Sequence, residues 1–338
     1  MKKLAFKILT MSIAAASFIA CSDDGENVSP NPGNGGNETP QGQANIQMTD
    51  APADDANVEA VFVTVTEINV DGEAFAGFSG PQTIDLMSYQ NGNTKLMGTG
   101  NLDAKSYSNI ELVFDFEEDA NGNFPGCYVE TKDKVKHQLK TQSNSNAFVS
   151  RGSFDIEENS SSDIVLDFDI RKAIKYSDDN SSSSQFTLVS KSEVESSIRL
   201  LNERSTGMIE GTVDASTTSS SDEKIVAFAY VKNSFDESAE VEGQGASNIR
   251  FKNAVNSSVV NNGSFTLAFL PEGEYEIVFF SFEEDESDTD GDGNNSELML
   301  KSRLEIESAL GLDLSSISVN AQSTVSLSID ATGIIGIN

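Results

Sequence analysis

The densest run of side chains able to do chemistry is the segment 283–297, which holds eight carboxylates in fifteen residues and no basic group. Within it, Asp288, Asp290 and Asp292 stand at positions 1, 3 and 5 of a calcium-type loop, Gly293 at position 6 and Asn294 at position 7. Alternate oxygens of that kind wrap a hard cation, and glycine permits the sharp turn. The closing glutamate is missing: Met299 occupies position 12, and Glu297, at position 10, would have to close the shell through a different wrap. Calcium is the cofactor this loop could hold, and a solvated acidic hairpin is the simpler reading. Two further acids, Asp167 and Asp169, lie two apart on an apolar segment and so share one face of a strand. Facing solvent, or capping the next turn, is what two unpaired carboxylates would do, because burying them is costly. Asp50, Asp54 and Asp55 surround the only Thr-Asp-Ala-Pro turn. There Asp50 would bond nearby backbone in an Asx-type turn before Pro52, or else contribute to a cation site. Cys127 and His137 could meet across a hairpin as a nucleophile and base. They are the lone free thiol and the lone histidine of the body of the chain, with no catalytic context, so Cys127 reads as a small buried apolar residue.

The N-terminus carries a different chemistry. Lys2, Lys3 and Lys7 precede an apolar stretch from Ile8 to Ala20, too short for a span of about 20 residues. It ends Ser17-Phe18-Ile19-Ala20-Cys21. This resembles the lipobox of bacterial lipoproteins, which implies cleavage after residue 20, diacylglycerol and palmitate on Cys21, and retention on a membrane through several acyl chains. Ser22, Asp23, Asp24, Gly25 and Glu26 then resemble the acidic export signal of lipoproteins displayed on the outer face of the outer membrane. Residues 21–43 hold Pro30, Pro32, Pro40 and many Gly and Asn. They read as a flexible tether with a reach on the order of 25 Å.

Composition narrows the classes of function. The formal charge is −32, and removing three signal lysines takes it to −35. Nucleic acid and anionic lipid surfaces would repel such a chain. With Cys21 lipidated no internal disulfide can form, so packing alone must hold the fold. One histidine and one thiol exclude the usual zinc sites. Tryptophan is absent, which weighs against a glycan-stacking platform.

The elements that must position these groups read as strands. Val61, Val63 and Val65 alternate, and Ile68 and Val70 resume on the other phase after a bulge, before an Asp71-Gly72 hairpin turn. Strands are also predicted at 82–87, 108–116, 127–130, 135–140, 150–156, 163–170 and 185–189, with a helical turn at 171–174. Further on, 207–213, 225–231 and 324–329 read as strands. Phe265, Leu267 and Phe269 alternate into a Pro271-Glu272-Gly273 turn, and Tyr275 and Ile277 resume after it. Leu304–Leu310 reads as a short helix ended by Gly311. The expectation is an all-β fold: two β-sandwich domains, Ig-like or transthyretin-like, at 44–203 and 204–338, behind a signal peptide at 1–20 and the tether.

Two resemblances bear on this body. Ala44-Asn45-Ile46-Gln47-Met48-Thr49-Asp50-Ala51-Pro52 resembles the opening of a bacterial family, domain of unknown function (DUF) 4382. Asp85-Leu86-Met87 fits its Asp-Leu-Leu step with one substitution, and Asp167-Phe168-Asp169-Ile170-Arg171-Lys172-Ala173 fits its closing Asp-Phe-Asp segment. The resemblance implies a fold and an extracytoplasmic location but no catalytic residue. The stretch 263–278 resembles the carboxypeptidase regulatory-like domain, a small transthyretin-like sandwich that implies a spacer role; a helix at 304–310 would be an insertion.

These readings make the chain a non-enzymatic envelope lipoprotein that serves adhesion, ligand capture or structure. Its partners would be a membrane, through the lipid, and an extracellular ligand or envelope protein, with nucleic acid excluded. The first alternative is a glycan- or small-ligand-binding lipoprotein serving an uptake system. The second is a hydrolase that works through a pair of acids in a groove.

Overall fold

Alternation of β-branched and aromatic residues with polar ones builds nearly every element of the computed structural model, which describes residues 39–51, 58–141, 145–176, 186–216, 219–220, 223–284 and 298–337. The first half comprises β1 (Gln41–Ala51), β2 (Val58–Val70), β3 (Glu73–Ala74), β4 (Gln82–Asp85), β5 (Lys95–Asp103), β6 (Ser106–Phe114), β7 (Tyr128–Thr131), β8 (Lys136–Gln138), β9 (Ala147–Asp155) and β10 (Ser161–Asp169). After these come α1 (Ile170–Ala173), β11 (Ile174–Tyr176), β12 (Phe186–Leu188), α2 (Lys191–Ser197) and β13 (Ile198–Asn202). One sheet runs β13-β10-β1-β5, with β1 parallel to β10, and the other runs β8-β7-β2-β6-β9. They form a sandwich around one core that includes Ile46 and Met48 of β1, Ile164, Leu166 and Phe168 of β10, and Ile110, Leu112 and Phe114 of β6.

The phase change expected in β2 is present. Val61, Val63 and Val65 point into the core, the register against β6 slips between Val65 and Glu67, and Ile68 and Val70 take over. An extra residue in one strand rotates the following side chains by one position, which is how both Val65 and Ile68 stay buried across an odd spacing. Asp71 and Gly72 both have positive φ, 48° and 86°, as a tight hairpin turn requires.

The second half holds β14 (Thr206–Asp214), β15 (Lys224–Val231), α3 (Glu237–Glu242), β16 (Asn256–Val259), β17 (Ser264–Pro271), β18 (Gly273–Glu284), β19 (Leu298–Ser308), β20 (Ile317–Val319) and β21 (Thr324–Gly336). Its sheet follows β16-β15-β18-β19-β21-β14-β17, with β20 on β18 and β14 parallel to β21. The end strands β16 and β17 are joined by a turn whose Asn261 and Ser264 bond each other. The sheet therefore curls around an inner core of Ile209, Phe265, Leu267, Ile277, Phe279 and Leu327. β15 is buried on both faces: Ala227 and Ala229 point inward, while Val226, Phe228 and Tyr230 pack outward against Phe251 and Val278.

Two expectations need correction. Leu304–Leu310 is not helical: β19 extends to Ser308 and pairs with β21 from Ser302 to Ser308. Leu304 and Ile306 alternate with Glu305 and Glu307, a period of two that suits a strand, and Gly311 sits in the turn beyond at φ 71°. Phe269 does not continue the inward alternation of Phe265 and Leu267. A register slip opposite Gly207 and Ile209, with φ of 52° at Phe269, hands the core position to Leu270. The Phe269 ring instead packs with Ala268, Val165 and Leu201, where the two halves meet.

Candidate functional site

The parallel pairing of β1 with β10 sets Thr49 beside Asp167, Asp50 beside Phe168 and Ala51 beside Asp169. The two segments are about 120 residues apart, so this junction is a tertiary product. The short helix after β4 completes it. Asp85 caps that turn by accepting from the Met87 N–H at 3.1 Å and the Ser88 hydroxyl at 2.5 Å. The Tyr89 carbonyl then accepts from the Asp50 N–H at 2.9 Å and from the Thr49 hydroxyl at 2.8 Å.

Alternation along the strands divides the acids between two faces. Asp50 shares the core face with Ile46, Met48 and Phe168. Among the described residues its Oδ1 accepts from the Ile170 N–H at 3.2 Å and its Oδ2 from Gln90 Nε2 at 3.3 Å; the turn expected before Pro52 lies outside them. Burial pushes its carboxyl well above the usual range, against the pull of those bonds and with help from the neighbouring Asp169 and Asp167.

Asp167 and Asp169 occupy the opposite face, with Val165, and that face is covered by the second half of the chain. Neither looks into solvent: they are 2 % and 7 % exposed. The expectation of solvated acids fails because each has a paired cation. Asp169 Oδ2 accepts from Arg171 Nη2 at 2.9 Å and from Lys172 Nζ at 3.1 Å. Asp167 Oδ2 is paired with Arg199 of β13. Burial by itself would raise the Asp169 carboxyl, but Arg171 and Lys172 prevail and hold it below the usual range. Burial lowers the Lys172 ammonium, against the opposing pull of Asp169.

All three cations also reach across to main-chain carbonyls of the second half. Arg171 Nη1 donates to Arg250 O at 2.7 Å and Phe251 O at 3.2 Å, and its guanidinium lies 5.6 Å from the Phe228 ring centre. Lys172 Nζ donates to Ala254 O at 2.6 Å, and Arg199 Nη1 to Phe269 O at 3.1 Å. Phe251 and Phe269 have φ of 51° and 52°, a left-handed backbone that bulky residues seldom adopt. A separate tie comes from Glu193 of α2. Its carboxylate accepts from the Ser190 hydroxyl at 2.7 Å and, across the seam, from the Ser247 N–H at 3.2 Å and hydroxyl at 2.7 Å. Burial opposes its ionisation, yet these bonds lower its carboxyl to about 2.

Arg199, Glu193 and the left-handed phenylalanines were not singled out from sequence. A signal did exist for the cations: Asp167 and Asp169 lie among Ile164, Val165, Leu166 and Phe168, apolar on both phases. A strand buried on both faces must supply buried acids with cations.

Cys127 is fully buried, bonded to Asp115 O at 3.1 Å, and its thiol is pushed up to about 12, mainly by burial. His137 packs edge-on to Phe186 and lies 3.2 Å from the Thr131 hydroxyl. Burial of this kind favours the protonated thiol and opposes a nucleophilic role. A cleft of about 380 Å³ opens elsewhere on the first half, lined in part by Thr66, Asp115, Phe116, Glu117 and Asn146. Cys21, Ser22, Asp23, Asp24, Gly25, Glu26, Asp54 and Asp55 lie outside the described residues, as do Asp288, Asp290, Asp292, Asn294 and Glu297. Among the described residues no cluster of three or more metal-ligating side chains occurs, and no helix is long and apolar enough to cross a membrane.

The fold and seam define an all-β protein of two joined β-units in which buried charge serves the joint. Residues 41–189 match the family described as Domain of unknown function (DUF4382), which covers β1 to β12 and all three motif segments. No curated protein matches the chain. Among solved structures, it is similar to the Bacillus anthracis TIE protein, at 12% identity over 86% of this chain and 34% of that one, with a TM-score of 0.17. The chain thus spans about a third of that protein's length. It is also similar to BcpA, the major pilin subunit of Bacillus cereus, at 11% identity, 86% and 70% coverage and a TM-score of 0.19. GBS52, the minor pilin of Streptococcus agalactiae, gives 10% identity, 88% and 98% coverage and a TM-score of 0.19. None of these likenesses is strong enough to transfer an activity.

Proposed function

We propose that this chain is a non-enzymatic module of the bacterial cell surface, held to the outer membrane by lipid on Cys21 and displayed outward through Ser22, Asp23, Asp24, Gly25 and Glu26. One observation carries the non-enzymatic part. The charged side chains of the family-like motifs are spent inside the molecule, in pairs between β10, α1 and β13 and in bonds to the second half. An acid pair used for hydrolysis needs a substrate groove, and Asp167 and Asp169 are buried beneath a packed seam. The second half acts as a spacer of the carboxypeptidase regulatory-like kind. Adhesion, capture of an extracellular ligand or contact with an envelope protein is the service such an arm performs.

Protease shaving of intact cells tests the placement. The wild-type protein is cleaved and a variant with Asp23, Asp24 and Glu26 changed to Ala is protected. Protection of both would end the surface reading and direct the search to periplasmic partners.

A second reading has one observation in its favour. The cleft has a volume in the range of small-ligand sites, and Phe116, Asp115 and Glu117 are among the residues that line it. A glycan- or small-ligand-binding lipoprotein would use it, and a glycan array with a Phe116→Ala control decides. Calcium at Asp288, Asp290, Asp292, Asn294 and Glu297 is compatible with either reading. Calorimetric titration that shows no heat up to millimolar calcium would remove it.

A further inference from the structure

We propose that the outer face of β10, α1 and β13 is a docking surface whose partner is a β-sheet domain presenting main-chain carbonyls, in this chain its own second half, and that the two halves hold together without the peptide link between them. The chemistry of the face selects such a partner. Each of its three cations has a carboxylate partner on its own side, Arg199 at Asp167 and both Arg171 and Lys172 at Asp169, which leaves one positive charge to be solvated by dipoles. Their remaining donors are directional, and carbonyl dipoles take them up at Arg171 Nη1, Lys172 Nζ and Arg199 Nη1 without bringing a further ion into a dry interface. The second half offers those oxygens at Arg250, Phe251, Ala254 and Phe269.

Two of the four carbonyls belong to phenylalanines in the left-handed region. Strained backbone of this sort persists only where the surrounding structure imposes it. At Phe269 the conformation does two things: it directs the carbonyl to Arg199 and turns the ring out of the inner core to meet Val165 and Leu201. The second half is thus shaped for the first at two separate points.

Two further ties between the halves occur among the described residues. Glu193 accepts from both donors of Ser247, and the Ser258 hydroxyl, which accepts from the Thr266 N–H at 3.1 Å, also bonds Asn91 Oδ1 at 3.0 Å. None of them involves the connection Glu203–Ser205, which is exposed.

The test uses the full chain with a sequence-specific protease site placed at 203–205. After complete cleavage, the two fragments of the wild-type seam elute as one species of full mass in size-exclusion chromatography with light scattering. With Arg171→Ala and Arg199→Ala together, cleavage gives two separate species. Circular dichroism before cleavage shows that the variant folds; if it does not, Arg199→Lys, which keeps the charge but loses the two-sided reach, replaces it. Separation of the wild-type fragments overturns the proposal, and so does co-elution of the cleaved variant. Cell shaving reads placement rather than docking, so failure of one proposal is distinguishable from failure of the other.

Discussion

Asp169 and Arg171, separated by one residue, form an ion pair of 2.9 Å with side chains only 9 % and 6 % exposed. The pair spans the end of β10 and the first turn of α1, where the chain leaves the sheet. Removing one partner of a buried pair leaves an uncompensated charge, at a cost of about 3–5 kcal/mol. Asp169→Ala is therefore expected to lower unfolding stability by about that amount at neutral pH, a change read from the urea midpoint. Little change would mean that water reaches the seam.

The same aspartate gives an acid dependence. Its folded-state carboxyl lies below the ordinary 3.8, so its stabilising contribution is complete above that value and is lost as pH falls through the folded value. Wild type and Asp169→Asn should differ most near neutrality and converge in acid. A difference that holds constant down to pH 2 would contradict the pairing.

Asp50 behaves in the opposite sense. Its folded carboxyl lies well above 3.8, so the folded chain binds the extra proton and stability falls as pH rises from 3.8 to the folded value. Asn does not titrate and can keep the bond to the Ile170 N–H. Asp50→Asn should gain on wild type by about 1.4 kcal/mol per pH unit within that window. Denaturant midpoints at pH 5 and pH 8 check it, and equal gaps at both would refute it.

Glu193 links α2 to Ser247 through a carboxylate lowered to about 2. Its contribution is present above 4.5 and fades as pH falls toward 2. Glu193→Gln loses acceptors at a helix start as well, with an expected cost of about 1 kcal/mol at pH 7. Hydrogen exchange should show faster opening around Ser247, while β14 and β21 stay protected.

In a Cys21→Ser protein, Cys127 is the remaining thiol. Buried and pushed up to about 12, it should resist iodoacetamide at pH 8 until denaturant is added. Rapid labelling of the folded protein would reopen a nucleophilic role.

Much of the architecture was legible because strands announce themselves locally. The period of two in β2 and its phase change, the Asp71-Gly72 turn and the alternation of Phe265 and Leu267 depend on neighbours within a few residues. The stretch Leu304–Leu310 reads locally as a helix because a short apolar run fits either period. Pairing with β21 decided it.

By itself the sequence determined the all-β class, the lack of disulfide staples in the folded body, the burial of Cys127 and the motif segments that match a known family. Each is a property of composition or of short-range pattern. Only the tertiary structure decided what Asp50, Asp167 and Asp169 do. Parallel pairing of β1 with β10 brings distant segments together and sends the acids to opposite faces. The cations that make two of them tolerable come from α1 and β13, and the surface that buries them comes from the second half of the chain. An aspartate on a strand reads the same whether its face meets water or a partner. The cost of burial and its compensation are set by groups that no local pattern brings near.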